Sequence, residues 1–322
     1  MTYQFEKNGG FNLRVSITGR CNLKCIYCVP PSSEYSGQKF YNPDLSLLFE
    51  ACKIVSEAFK VTKIRITGGE PLVRSGMEDF CSKISTISSV NHVGITTNGQ
   101  LLAGKVKRLM DCGAGGVNVS LDSLNPDKFA LITGGGKLEK TLGGINEAKQ
   151  YGMKVKVNFV VMGGINDDEI EKMVNFGLDK KIEVRFLELM PFEGSSKIWK
   201  QTFIPAKEII ERIKKSFSLD PIETRPEQTA RMFSVRSKGG EGIIGIIGSY
   251  DGNMCRSCNR LRITSEGKFR RCLKDPGELD LFQMIQKNIP KEEIFEEMKK
   301  YVRMKKNQAP LLGSGNMCRI GG

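Results

Sequence analysis

Cys21, Cys25 and Cys28 fall within eight residues, in the run Thr18-Gly-Arg-Cys-Asn-Leu-Lys-Cys-Ile-Tyr-Cys28. The spacing is C-x3-C-x2-C. Thiolates this close on one loop can converge on a small iron–sulfur core or on one soft metal ion. A 4Fe–4S cubane ordinarily takes a fourth thiolate, so three cysteines leave one iron without a protein ligand. An open position marks a site that binds substrate or cofactor, as in catalytic rather than structural zinc. A zinc knuckle with a borrowed fourth ligand is the alternative, but zinc pairs normally read C-x2-C.

A second set, Cys255, Cys258 and Cys272, reads C-x2-C-x13-C. Alone it suggests a zinc ribbon lacking one ligand. Beside the first triad, a second three-cysteine cluster with an open iron is the better reading. Arg260 and Arg262 follow on one face of a strand, two cations suited to a phosphate or a nucleobase edge. Cys52, Cys81 and Cys112 sit among apolar residues at helical positions and read as core thiols. Cys318, near the tail, reads as a stray thiol in preference to a supplementary ligand.

Strand-like runs at 11–18, 62–67, 91–97, 115–121, 153–161 and 182–188 must position these residues. Helical patterns lie between and after them, at 45–59, 77–87, 101–112, 138–151, 167–178 and 205–217. Six βα units imply a parallel sheet with right-handed crossovers, either open and doubly wound or a partial barrel. The polar and glycine-rich residues gather where strands end: the cysteine loop, Gly68-Gly69-Glu70-Pro71, Thr96-Thr97-Asn98-Gly99, Ser120-Leu-Asp122 and Glu188-Leu-Met190-Pro191. In parallel α/β folds that face carries the active site. After about 218 the alternation stops. Strands are expected at 231–236 and 242–247, a tight turn at 265–268 with Cys272 on the returning strand, and an amphipathic helix at 290–306.

Within the strands, cations alternate with apolar residues. Arg14 opposes Leu13 and Val15; Lys63 and Arg65 oppose Ile64 and Ile66. Lys154 and Lys156 oppose Val155 and Val157, and Arg185 opposes Val184 and Phe186. In a barrel the apolar sets lie under the helices, which sends the cations inward. Buried without an anion they would be costly, so the pattern implies a cavity for a ligand with several phosphates.

The chain has 322 residues, net charge +13, ten cysteines and one histidine. The charge suits a phosphorylated ligand or nucleic acid. His92 alone rules out histidine-rich zinc sites and most histidine acid–base schemes, and it reads as structural. The polar start and the many cysteines lead to the expectation of a reducing cytoplasm and no membrane segment.

The first triad, with Tyr27 before its last cysteine, resembles the radical SAM superfamily. From Phe11 to the terminal glycines the chain resembles one family within it, the GTP 3′,8-cyclases of molybdenum cofactor biosynthesis. The resemblance is carried by Leu-Arg-x-Ser-Ile-Thr, Arg-x-Thr-Gly-Gly-Glu-Pro, Thr-Thr-Asn-Gly, Asn-Val-Ser-x-Asp-Ser-Leu, Lys-Val-Lys-Val-Asn, Arg-Phe-x-Glu-Leu-Met and Cys-x2-Cys-Asn-Arg-Leu-Arg. It implies a partial (βα)6 barrel over 1–217, with an α+β extension over 218–322 that carries the second cluster and closes the barrel. It implies two 4Fe–4S clusters, one on Cys21, Cys25 and Cys28 with S-adenosylmethionine, the other on Cys255, Cys258 and Cys272 facing guanine. Tyr27, Gly69, Ser120 and Met190 would contact S-adenosylmethionine. Arg14, Arg65, Thr96, Lys156, Arg260 and Arg262 would bind GTP, with Lys63 and Arg185 as further phosphate contacts. Gly321 and Gly322 would reach the site and assist catalysis. The 5′-deoxyadenosyl radical would take the ribose H3′, and C3′ would add to guanine C8. The resemblance also implies an external electron donor and a downstream pyranopterin-forming enzyme, and leaves a homodimer open.

Two rivals stand beside it. A radical SAM enzyme acting on RNA or a peptide would share the first triad, but cations alternating into a core do not suit a polynucleotide. A zinc or electron-transfer protein would leave the open coordination sites and the loop-rich face without a role.

Overall fold

The computed structural model describes residues 10–28, 41–192, 195–223, 229–237, 239–248, 258–304, 313 and 317–320. The repeating part runs β1 (Phe11–Ser16), α1 (Leu45–Phe59), β2 (Val61–Thr67), α2 (Met77–Ser85), β3 (His92–Thr97), α3 (Val106–Asp111) and β4 (Ala114–Ser120). It continues with α4 (Pro126–Thr133), α5 (Leu138–Gln150), β5 (Lys154–Val161), α6 (Ile170–Lys180) and β6 (Glu183–Glu188), then α7 (Ser196–Thr202) and α8 (Ala206–Lys214). The expected units are all present.

Local signals set the ends. Asp44 caps α1 by accepting from the Ser46 and Leu47 amides, and Lys60 closes it in the left-handed region. Helix α4 was missed by periodicity because it spans only two turns. Its punctuation was nevertheless present: Asn125 as cap, Pro126 in the first turn and Gly134 as the left-handed stop.

The order β1-β2-β3-β4-β5-β6 in the sheet is the order in sequence, every pair parallel. A doubly wound sheet reverses direction at a switch point. Winding always one way puts the helices on one face and leaves the other concave, so the partial barrel is the outcome. Leu13, Val15, Ile64, Ile66, Val157, Val184 and Phe186 are buried in one continuous core with residues of the outer helices.

The C-terminal segments extend this sheet at both edges. β10 (Arg260–Ile263) lies parallel to β1, and β9 (Gly240–Ile247) parallel to β6. Antiparallel β11 (Lys268–Arg270) and β12 (Leu279–Asp280) continue beyond β10; β8 (Arg231–Ser237) and β7 (Ser218–Ile222) continue beyond β9. The turn expected at 265–268 forms. The Thr264 amide donates to the Lys268 carbonyl at 2.9 Å, with Gly267 at φ +74°. Cys272 lies two residues past the return strand rather than on it. Helices α9 (Leu281–Gln286), α10 (Lys291–Arg303) and α11 (Met317–Ile320) follow. Phe11, Phe59, Phe269 and Tyr301 form a chain of ring contacts that ties β11 and α10 to the first barrel unit. Among the described residues no helix is long and apolar enough to cross a membrane.

Candidate active site

The cysteine loop is tied to its neighbours by backbone. The Gly69 amide donates to the Thr18 carbonyl and the Glu70 amide to the Arg20 carbonyl, both at 2.8 Å. A Cβ on Gly69 would stand 2.2 Å from the Arg20 carbonyl oxygen. The glycine is therefore required by loop-on-loop packing. Gly69→Ala is expected to cost about 1–3 kcal/mol through that overlap, read as a lower melting temperature and weaker cluster retention.

Glu70 joins the ends of three segments. Its carboxylate accepts from the Leu72 amide (3.0 Å), the Thr97 hydroxyl (2.7 Å) and the Asn98 amide (2.7 Å). Burial pushes its pKa up to about 7 against the pull of those donors. Asn98 directs its side-chain amide to Asn22 Oδ1 at 2.8 Å and to Cys21 Sγ at 3.8 Å, and the Leu23 amide donates to the same sulfur at 3.4 Å. Tyr27 donates its hydroxyl to Asp122 at 2.6 Å, while the other Asp122 oxygen accepts from the Val160 amide. The tyrosine thus anchors the cysteine loop to the end of β4. Sequence reasoning assigned it to the cofactor and did not foresee this pairing.

Cys21, Cys25 and Cys28 line one cavity of about 140 Å³ together with Tyr27, Gly69, Thr96, Ser120 and Met317. Among the described residues no three His, Cys, Asp or Glu side chains form a ready single-ion site. The thiols instead surround a space, with amide donors aimed at Cys21 sulfur. That donor set fits a thiolate-ligated cluster. Thr96 lies on this side of the barrel rather than among the cations. Met190 lies elsewhere, packed against the Ala230, Met232 and Ile247 cluster, because β6 has ended and the chain is turning toward α7. Met317 had no signal in the sequence; it arrives from a distant short helix.

The expected inward cations converge. Arg14, Lys63, Arg65, Lys154, Lys156, Arg185 and Arg260 line a cavity of about 590 Å³. His92 lines it too, contrary to a purely structural reading, because β3 alternates His92, Gly94 and Thr96 inward. Register explains the convergence: Arg262, Arg14, Arg65, Gly94, Gly116 and Lys154 are successive partners across five strand pairs. Burial lowers the pKa of Arg14 well below the usual arginine range, with Arg262, Arg260 and Arg65 adding to the effect. Burial, then Arg185, pushes Arg65 down to about 10, so it stays charged at neutral pH. Burial and the surrounding cations also lower the pKa of His92, favouring its neutral form. This crowding is what a polyanion relieves.

The guanidinium of Arg65 lies over Gly94 and donates to the Ile95 carbonyl at 3.3 Å. A Cβ on Gly94 would meet three guanidinium atoms at 3.1 Å. Gly94→Ala is expected to displace that group and weaken binding of inorganic tripolyphosphate roughly tenfold, measured by calorimetry.

Arg262 is fully buried and donates to the Ile320 carbonyl at 3.4 Å. Burial and Arg260 push its pKa down to about 9, while Cys272 and Cys258 oppose the shift. The guanidinium therefore sits beside both described cysteines of the second set, which are half-buried. Cys255, Gly321 and Gly322 lie outside the described residues, as does the side chain of Cys318. Ile320 and Met317 nevertheless bring the residues before the terminal glycines to both parts of the site. Cys52, Cys81 and Cys112 are buried thiols, as expected.

The radical SAM superfamily matches residues 15–177, and a second family, Molybdenum Cofactor Synthesis C, matches 182–311. The GTP 3′,8-cyclase of Alkaliphilus oremlandii is 41% identical over 96% of this chain and 97% of its own. That of Thermodesulfovibrio yellowstonii is 40% identical over 95% and 94%. Among solved structures, Streptococcus suis SuiB superposes with a TM-score of 0.63 at 15% identity, covering 85% of this chain and 63% of that one. Its form bound to S-adenosylmethionine gives 0.59 at 14%, covering 96% and 75%. With the structures agreeing on the fold and the relatives matching nearly end to end, the chain belongs to the radical SAM superfamily and, within it, to the GTP 3′,8-cyclase family.

Proposed function

We propose that the chain converts GTP to 3′,8-cyclo-7,8-dihydroguanosine 5′-triphosphate, the first step of molybdenum cofactor biosynthesis. The observation that carries this reading is the pairing of two cavities on one concave face, a thiol-lined one and one lined by seven lysines and arginines. The names of the relatives support it. Cys21, Cys25 and Cys28 would hold one 4Fe–4S cluster, and Cys255, Cys258 and Cys272 a second. When bound, the first cluster and S-adenosylmethionine supply the 5′-deoxyadenosyl radical that takes the ribose H3′.

The chain's own residues bind, orient and exclude water. Tyr27, Gly69 and Ser120 form the cofactor side of the thiol-lined cavity. Arg14, Lys63, Arg65, Lys156 and Arg185 grip the triphosphate, leaving the nucleoside directed toward the cysteine side. Arg260 and Arg262 follow Cys258, where a guanine edge would be held, and Thr96, on the wall of the thiol-lined cavity, would meet the nucleoside. Gly321 and Gly322 would assist catalysis, following Ile320, whose carbonyl accepts from Arg262. An external electron donor, a downstream pyranopterin-forming enzyme and a reducing cytoplasm complete the reading.

The test is anaerobic. Protein with reconstituted clusters is given dithionite, S-adenosylmethionine and GTP deuterated at C3′, and products are followed by mass spectrometry. Deuterium in 5′-deoxyadenosine, with a cyclised guanosine triphosphate, is the expected result. Cofactor cleavage with GTP intact would overturn the substrate and redirect attention to RNA or peptides.

A further inference from the structure

Within this ring of cations stands a carboxylate that the proposed reaction does not use. Glu183 opens β6 directly opposite Lys156 on β5, and Arg185 follows two residues later on the same face. Lys156 Nζ lies 2.5 Å from one Glu183 oxygen and Arg185 Nε lies 2.6 Å from the other. All three side chains are less than one-fifth exposed. Burial opposes ionisation of Glu183, yet Arg185 and Lys156 outweigh it and hold its pKa below the usual range, so the group is anionic. Among the described residues, Arg14, Lys63, Arg65 and Lys154 have no such ion-paired carboxylate.

We propose that Glu183 sets the polyphosphate affinity of this cavity. In the free protein its carboxylate stands in for a phosphoryl group between Lys156 and Arg185, and it yields both cations when a polyphosphate arrives. The inference rests on the proposed reading of the cavity as a triphosphate site. Two cations alternating inward on neighbouring strands repel one another across a low-dielectric space. One carboxylate between them neutralises part of that charge and holds both side chains to the wall. A polyphosphate brings more negative charge than one carboxylate, so it displaces Glu183 from its partners; a monophosphate gains far less by the same exchange. Glu183 is therefore a positioning residue that biases the site toward polyphosphates.

The experiment compares cluster-loaded wild type with Glu183→Gln, which keeps the shape and removes the charge. Glu50→Gln on the outer helix α1 makes the same change in net charge away from the cavity. Binding of tripolyphosphate, GTP and guanosine is measured by calorimetry across a salt series. Glu183→Gln is expected to bind tripolyphosphate and GTP roughly tenfold more tightly, with steeper salt dependence. Guanosine affinity should not change, kcat should hold while KM falls, and Glu50→Gln should behave as wild type. Should the glutamine variant not fold, Glu183→Ser, which also removes the charge, carries the same test. Unchanged or weaker polyphosphate binding by the variant, with wild type binding normally, overturns the inference and makes Glu183 a brace. If wild type itself binds neither GTP nor tripolyphosphate, the reading of the cavity falls and this inference with it.

Discussion

Cys25→Ala is expected to abolish cleavage of S-adenosylmethionine, a loss of at least ~10³-fold, while GTP still binds. Outer-shell changes around a metal site typically cost roughly 10- to 100-fold, and removing a thiolate from a three-ligand site leaves too few protein ligands to hold the cluster. Cys25 is half-buried on a loop, so truncating its side chain opens no cavity in the core. The fold and the cation-lined cavity should therefore survive. Anaerobic reconstitution should recover about half the wild-type iron, because the second cysteine set is intact, and tripolyphosphate affinity should be unchanged. Full iron content with normal turnover would remove Cys25 from the cluster.

Arg65→Met should separate binding from folding. Methionine fills much of the same space without the charge. The buried guanidinium interacts unfavourably with Arg185 and donates to the Ile95 carbonyl at 3.3 Å. Its removal is expected to leave thermal stability unchanged or slightly raised, since an unrelieved buried charge disappears. KM for GTP should nevertheless rise by roughly 10- to 100-fold, the range of a lost charge-assisted contact of about 1.5–3 kcal/mol. With kcat nearly constant, that split marks binding shared by ground and transition states. A melting temperature several degrees lower with KM unchanged would instead make Arg65 a structural residue.

The cavity was readable because β-strand alternation is a local property. Once 13–17, 62–67, 153–161 and 182–188 are strands, Arg14, Lys63, Arg65, Lys154, Lys156 and Arg185 must share one face. His92 follows the same rule, but a lone histidine at a strand start carries no sign of what lies across from it. Glu183 was equally local and equally silent, since its role depends on standing opposite Lys156 in the neighbouring strand. Tyr27 and Asp122, 95 residues apart, could not be paired from spacing, and neither could Gly69 and Arg20.

By itself the sequence determined the two cysteine sets, the βα repeat and the inward direction of the cations, because thiol spacing and the two-residue strand period are written in neighbouring positions. Tertiary structure decided which of the two parallel architectures formed, since sheet order depends on packing between distant units. It also decided that β9 and β10 extend opposite edges of one sheet, that Met317 reaches the thiol-lined cavity, and that Ile320 meets Arg262. These contacts join residues far apart in the chain, and only burial of a common core and saturation of backbone hydrogen bonds bring them together.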